Sequence, residues 1–77
     1  MTTIQESAEY LIKSILPENA NVSVNCRNDG DTTIIEITAL PKYIGQLIGK
    51  EGKIIKSIRS LLNLSFPAVK YLLEIKE

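Results

Sequence analysis

The chain has no histidine and only one cysteine, Cys26. Those two scarcities exclude a good deal of chemistry. Without histidine there is no imidazole to act as a general base near neutral pH or as a nitrogen ligand to a metal. A lone cysteine cannot close an internal disulfide. With no histidine to take its proton it is a poor nucleophile, and it is a poor zinc site. Cys26 reads instead as a small apolar strand residue. Asp29 and Asp31 flank Gly30 and read as turn formers rather than as a metal or acid pair. No catalytic constellation, metal site or cofactor site is therefore expected.

Other features are missing too. Met1 to Glu9 lacks a basic start followed by an apolar run, so no secretory signal is expected. No stretch approaches the roughly 18 apolar residues of a membrane span. Together with the cysteine count, this points to the cytoplasm and away from a membrane partner. There is no internal repeat, low-complexity segment or linker. At 77 residues the chain has room for one domain, spanning 1–77. A domain this small buries only about 60% of the surface its unfolded chain exposes, so its core is thin. The 44% hydrophobic content suits an ordered protein.

Net charge is zero, with nine basic and nine acidic residues, but the average hides an asymmetry. Up to Pro41, Lys13 and Arg27 stand against Glu6, Glu9, Glu18, Asp29, Asp31 and Glu36, a balance of −4. From Lys42 to Arg59, Lys42, Lys50, Lys53, Lys56 and Arg59 stand against Glu51 alone, a balance of +4. Surface fields follow local charge within a Debye length of about 8–10 Å. A polyanion partner remains compatible with zero net charge, whereas strong non-specific binding does not.

Periodicity predicts the elements. Ile4, Ala8, Leu11, Ile12, Ile15 and Leu16 recur at helical spacing, after candidate capping boxes Thr2-x-x-Gln5 and Thr3-x-x-Glu6, and Pro17 ends that helix. Val22, Val24 and Cys26 alternate with polar residues as in a strand. Asp29-Gly30 signals a hairpin, and Thr32 to Leu40 makes the second strand. Pro41 can open a short helix to Ile48. A further helix from near Gly52 carries Ile54, Ile55, Ile58, Leu61 and Leu62 on its apolar face, with a loop expected over Asn63 to Pro67. Val69, Tyr71, Leu73 and Ile75 alternate in a closing strand.

The order α-β-β-α-α-β makes an α+β fold with a three-stranded mixed sheet. Its helix-connected strands run parallel with a right-handed crossover. Helices cover one face. Ser23, Asn25, Arg27, Glu36, Thr38, Lys70, Glu74 and Lys76 are expected on the other. Ile34 and Leu72 are expected outside the core.

The segment Ile44 to Arg59, IGQLIGKEGKIIKSIR, holds both the basic charge and a two-glycine turn, Gly49-Lys50-Glu51-Gly52. A Walker P-loop needs four residues between its glycines and Ser or Thr after the Lys; here three residues separate Gly45 from Gly49, and Glu51 follows Lys50. A dinucleotide fingerprint needs G-x-G-x-x-G after a strand, and Gly49-x-x-Gly52 follows a helix.

What remains resembles a KH domain, a module that binds RNA and single-stranded DNA. Its signature is an aliphatic residue, Ile, Gly, two variable residues, Gly, two variable residues and Ile. Leu47, Ile48, Gly49, Gly52 and Ile55 match each defined position, and the element order looks like the type II, prokaryotic arrangement. Length and layout are similar to the small bacterial single-KH KhpA family. That resemblance implies an RNA chaperone or post-transcriptional regulator in the cytoplasm, linked to cell-wall homeostasis, cell shape and division. It also implies a homodimer, or a heterodimer with a larger KH protein (KhpB, also called Jag or EloR).

The residues carry a physical reading beside the resemblance. Gly49 and Gly52 remove two Cβ atoms, so a sugar–phosphate backbone can come close. The following helix points its free N–H groups and positive dipole end at the same place. Lys50 and Lys53 add charge. Glu51 puts an anion inside the clamp, where repulsion from a phosphate at about 6 Å is roughly 0.7 kcal/mol in water-like dielectric. By resemblance, a groove for bases lies between the two helices and the last strand, with Ile48 and Ile55 in its floor and Val69, Tyr71 or Leu73 opposite. Ile48 and Ile55 equally suit the core. Gly45 suits helix–sheet packing or close RNA approach. Lys56 and Arg59 suit a solvated face or an RNA contact. A protein–protein adaptor is the alternative function.

Overall fold

A computed structural model of the chain describes residues 3–76. Helix α1, Ile4–Ile15, starts at Thr3, whose Oγ1 accepts the Glu6 N–H at 3.1 Å. Thr3-x-x-Glu6 is thus the cap that forms; Thr2 of the other candidate lies outside the described residues. Ile4, Ala8 and Ile12 are buried, and Leu16 closes the helix just before Pro17. Ile15, expected on the same face, is exposed instead, because it lies about 100° around the helix from Leu16, at the end of the stripe.

A 3-10 turn at Glu18–Ala20 leads into strand β1, Ser23–Asp29. A hairpin turn through Gly30, with φ +66°, returns the chain as β2, Thr32–Thr38. Pro41 occupies the first turn of α2, Pro41–Ile48, and β2 ends two residues short of Leu40, which already serves as the N-cap of α2. Helix α3 covers Lys53–Ser65 and β3 covers Tyr71–Lys76. The expected loop at Asn63 is therefore a further turn of helix. Asn only weakly disfavours helix, and nothing breaks the chain until Pro67 restricts the residue before it.

The sheet order is β1-β2-β3, with β1 antiparallel to β2 and β2 parallel to β3. Val24 faces Ile37, and Ile35 faces both Cys26 and Leu73, so the apolar positions of all three strands share one side. The helices pack there, contributing Ala8, Ile12, Ile44, Leu47, Ile58 and Leu62 to the core. This is the α-β-β-α-α-β fold with a mixed sheet and helices on one face that the sequence predicts. Burial pushes the Cys26 thiol up from its ordinary pKa, as expected for a residue packed against the core.

The opposite face is polar and laced with ion pairs. Arg27 Nε reaches Glu36 at 3.1 Å and its Nη2 reaches Glu74 at 3.2 Å, while Lys76 Nζ lies 2.8 Å from Glu36. To span from β1 to Glu74 on β3, the Arg27 stem must cross β2. Its register partner there is Ile34, only 3% exposed although it lies on the helix-free side. Arg27 shields it, as long cationic side chains commonly do. Ile34 is thus no free apolar residue; Leu72, on its other flank, is 55% exposed.

Candidate nucleic-acid interface

The turn between α2 and α3 has an unusual backbone. Gly49, Glu51 and Gly52 have φ of +77°, +58° and +72°. Gly49, with ψ 175°, sits in a region that essentially only glycine occupies. A Cβ built there would fall 2.7 Å from Cγ1 of Ile54, so position 49 excludes side chains twice over. Gly52 is the N-cap of α3 in the left-handed region, and no side chain caps that helix. The backbone of the turn meets its first N–H groups instead: the Gly52 N–H donates to the Gly49 carbonyl at 3.1 Å and the Lys53 N–H to the Lys50 carbonyl. Glu51 adopts the left-handed conformation without being glycine, at a cost of roughly 1 kcal/mol.

Around this turn the predicted residues come together. Lys50, Glu51 and Lys53 are exposed. Lys56 lies one turn along α3, and its Cε would stand 3.9 Å from a Cβ at Gly52, so its chain arches back over the glycine. Ile48 and Ile55 are half-buried and packed against the core while keeping an open side. Gly45 is exposed on α2, and a Cβ there meets nothing within 4 Å. Helix–sheet packing therefore does not require a glycine at 45. Tyr71 and Leu73 are half-buried on the helix-facing side of β3; Val69 precedes the strand and is exposed. Leu61, assigned to the apolar face of α3, is exposed.

Charge pairing separates this region from the rest. Lys13, Arg27, Lys70 and Lys76 each lie within 3.6 Å of a carboxylate oxygen. Among the described residues, Lys42, Lys50, Lys53, Lys56 and Arg59 have no carboxylate partner. Lys42 instead rests 5.1 Å from the centre of the Tyr43 ring. All five cations of the basic segment are thus available to an anion without breaking an existing pair.

Two concavities lie elsewhere, one of about 510 Å³ between α1 and α3 and one of about 500 Å³ beneath the end of α1. Among the described residues, no three His, Cys, Asp or Glu side chains cluster to hold a metal ion, and no helix is long and apolar enough to cross a membrane. The sequence reading missed Ile54, the wedge against Gly49, and the contact of Tyr71 with α3. Neither leaves a local signal, since both depend on how the elements pack.

Comparison with known proteins agrees with this geometry. The family model for the KhpA/KhpB KH domain matches residues 5–73. The chain is 37% identical over 59 residues to the RNA-binding protein KhpA of Chlamydia trachomatis, covering 77% of this chain and 76% of that protein. It is 32% identical over 57 residues to the RNA-binding protein KhpA of Borreliella burgdorferi, covering 74% and 70%. For the RNA-binding protein KhpA of Clostridium perfringens the identity is 32% over 59 residues, covering 77% and 79%. No solved structure gives a significant match.

Proposed function

This chain belongs to the KhpA/KhpB KH-domain family, and we propose that it binds single-stranded RNA through the Gly49–Gly52 turn. The observation that carries the reading is the set of unpaired cations gathered around a turn whose glycines leave the backbone bare. The turn holds the sugar–phosphate backbone of about four nucleotides, as KH loops do. Lys50, Lys53 and Lys56 neutralise phosphates, the positive dipole end of α3 faces them, and Gly45 leaves room for the strand along α2. Bases lie against Ile48 and Ile55. With about three phosphates neutralised, the salt slope is near −2, so fourfold more salt costs roughly 15–20-fold in affinity. Such a site suits an RNA chaperone or post-transcriptional regulator in the cytoplasm, with the family's link to the cell wall and cell shape.

The test is Lys50→Asp combined with Glu51→Asp, both glycines kept. Asp tolerates the left-handed conformation of position 51, so the fold survives. Fluorescence anisotropy with a labelled single-stranded RNA should show a loss of at least about tenfold, with the melting temperature nearly unchanged. Unchanged binding rejects the clamp.

A second surface favours a protein partner as well. Tyr10 and Leu61 line the groove separating α1 from α3 and are 73% and 48% exposed, and Leu64, one turn along α3 from Leu61, is 80% exposed. On α3, Leu61 lies about 140° around the helix from Lys56, away from Lys56 and Arg59, whereas Leu64 lies about 80° from Lys56 at the border of the two surfaces. A second copy of this chain, or a larger KH protein of the KhpB/Jag/EloR kind, would cover this strip. Light scattering of Leu61→Lys with Leu64→Glu checks it: a mass that falls to the monomer supports the surface, and an unchanged mass does not.

A further inference from the structure

Two residues of α2 work against the stability of their own helix. Lys42 sits in its first turn, where a cation meets the positive end of the helix dipole and no acid offsets it. Gly45 sits in mid-helix, where glycine is less stable than alanine. A Cβ at 45 would meet nothing within 4 Å, so packing does not explain the glycine. Both residues are exposed, while Ile44 and Leu47 of the same helix are buried. Breaks in local rules without a packing gain belong to functional surfaces.

The two share a face, and that face leads to the clamp. At about 100° per residue, Lys42 and Gly49 lie only about 20° apart around α2. Gly45 lies about 40° from Gly49 and 60° from Lys42, and the exposed Gln46 flanks the face, about 100° around from Gly45. Along the axis Lys42 is about 10 Å from Gly49. From the turn outward, the face is bare of side chains at 49 and 45 and ends in a cation at 42.

Lys42 is free to take an anion. It has no carboxylate within ion-pair distance among the described residues. Its ammonium rests 5.1 Å from the centre of the Tyr43 ring, a weak contact at an exposed site. Its flexible stem lets the charge turn from that ring to the bare face. A phosphate arriving there displaces one ring contact and breaks no ion pair.

We infer that a bound strand leaves the clamp along α2, and that Lys42 holds one of its phosphates beyond the roughly four nucleotides of the loop. The inference rests on the RNA-binding reading above and lengthens its site. At about 3.4 Å per nucleotide for a stacked strand, 10 Å is up to three nucleotides, and fewer for an extended one. Gly45 is the passage between clamp and cation, because any side chain there would stand in the strand's path.

Strand length isolates the contact. A fluorescein-labelled oligo-U tetramer and octamer are titrated with the full chain, unaltered and as Lys42→Gln. Anisotropy is read over a potassium chloride series that begins at low salt. The octamer offers more binding registers, but offers them equally to both proteins, so comparing the proteins at each length removes that gain. On the octamer, Lys42→Gln should lower affinity about fourfold near physiological salt and flatten the salt slope by about 0.7, the share of one phosphate on a single strand. On the tetramer, which ends inside the clamp, affinity and slope should stay close to those of the unaltered chain. Lys42→Arg, which keeps the charge, should bind both lengths as the unaltered chain does. Circular dichroism melting confirms that both variants fold. An octamer indifferent to Lys42→Gln, or an equal loss on both lengths, overturns the inference and leaves the clamp standing. If only the octamer binds, the slope change on it supports the inference and its absence overturns it. Binding of neither length overturns this inference and the RNA reading together.

Discussion

The open face of the sheet and the α2–α3 turn both carry cations, and they use them differently. On the sheet, Arg27 and Lys76 are bound to Glu36 and Glu74 at 2.8–3.2 Å. Around the turn, Lys50, Lys53, Lys56 and Arg59 point into solvent with no carboxylate beside them among the described residues. A phosphate approaching the sheet face meets carboxylates as closely as cations, and any pair it made would first break one. A phosphate approaching the turn meets one acid, Glu51. Individual exposed ion pairs contribute only about 0–1 kcal/mol to stability. Their larger effect here is to silence the charge on one face, so that a molecule of zero net charge shows a polyanion one attractive side.

The turn is also where backbone and side chain constrain each other most, and the largest expected effect tests that. Gly49→Ala should destabilise the fold by about 3 kcal/mol, from a backbone region closed to alanine and from overpacking against Ile54. Gly45→Ala, on the same helix with open space around it, should stabilise by about 0.5–1 kcal/mol. Urea unfolding of the two variants measures the contrast. If Gly45→Ala also weakens RNA binding while the fold becomes more stable, position 45 is a point of close approach.

Exchanging the roles of the two cation sets comes next. Lys53→Gln with Lys56→Gln should lower RNA affinity roughly tenfold and flatten the salt slope by about 1.4, or 0.7 for each phosphate no longer neutralised. Lys70→Gln with Lys76→Gln, which removes the same charge from the paired surface, should change affinity far less. Anisotropy titrations across a potassium chloride series separate the two. Equal losses would mean that net charge, and not pairing, governs binding.

Glu51→Asn should have a smaller effect of opposite sign. It removes the one anion of the turn while keeping a residue that tolerates the left-handed conformation. Affinity, read in the same titrations, should rise about threefold, matching the roughly 0.7 kcal/mol of repulsion it relieves.

The smallest effect belongs to the sheet face. Hydrogen bonds from Lys76 and Arg27 hold the Glu36 carboxyl below its ordinary pKa. A carboxyl whose pKa is lower folded than unfolded stabilises the fold above its unfolded pKa. That contribution is lost as pH falls through the folded value. Melting temperature should therefore decline as the solution is taken into the acid range, and Glu36→Gln should make the decline shallower with RNA binding at neutral pH untouched.

Much of this was legible in the chain. The Thr3 cap of α1, the hairpin at Gly30 and the two-glycine turn at 49 and 52 are local signals, and each forms as a cap or a turn. Three features were not legible, because each depends on what is far away in sequence. Ile34 alternates onto the polar face and is buried there, beside the Arg27 side chain that reaches across the sheet to Glu74. Leu61 follows the helical repeat closely enough to look buried, and only the placement of α1 decides that it is not. The difference between paired and free cations also escapes a local count, since Arg27 and Glu74 stand 47 positions apart.

Ile54 wedged against Gly49 bears on time as well as shape. A glycine-rich turn usually samples many conformations, and a ligand that needs one of them must wait for it and offset the lost entropy. Here the core side of α3 holds the turn in place before any strand arrives. Association should then be set by diffusion and charge, with no slow ordering step. Differences in affinity among RNA sequences should appear almost wholly as differences in how long each stays bound.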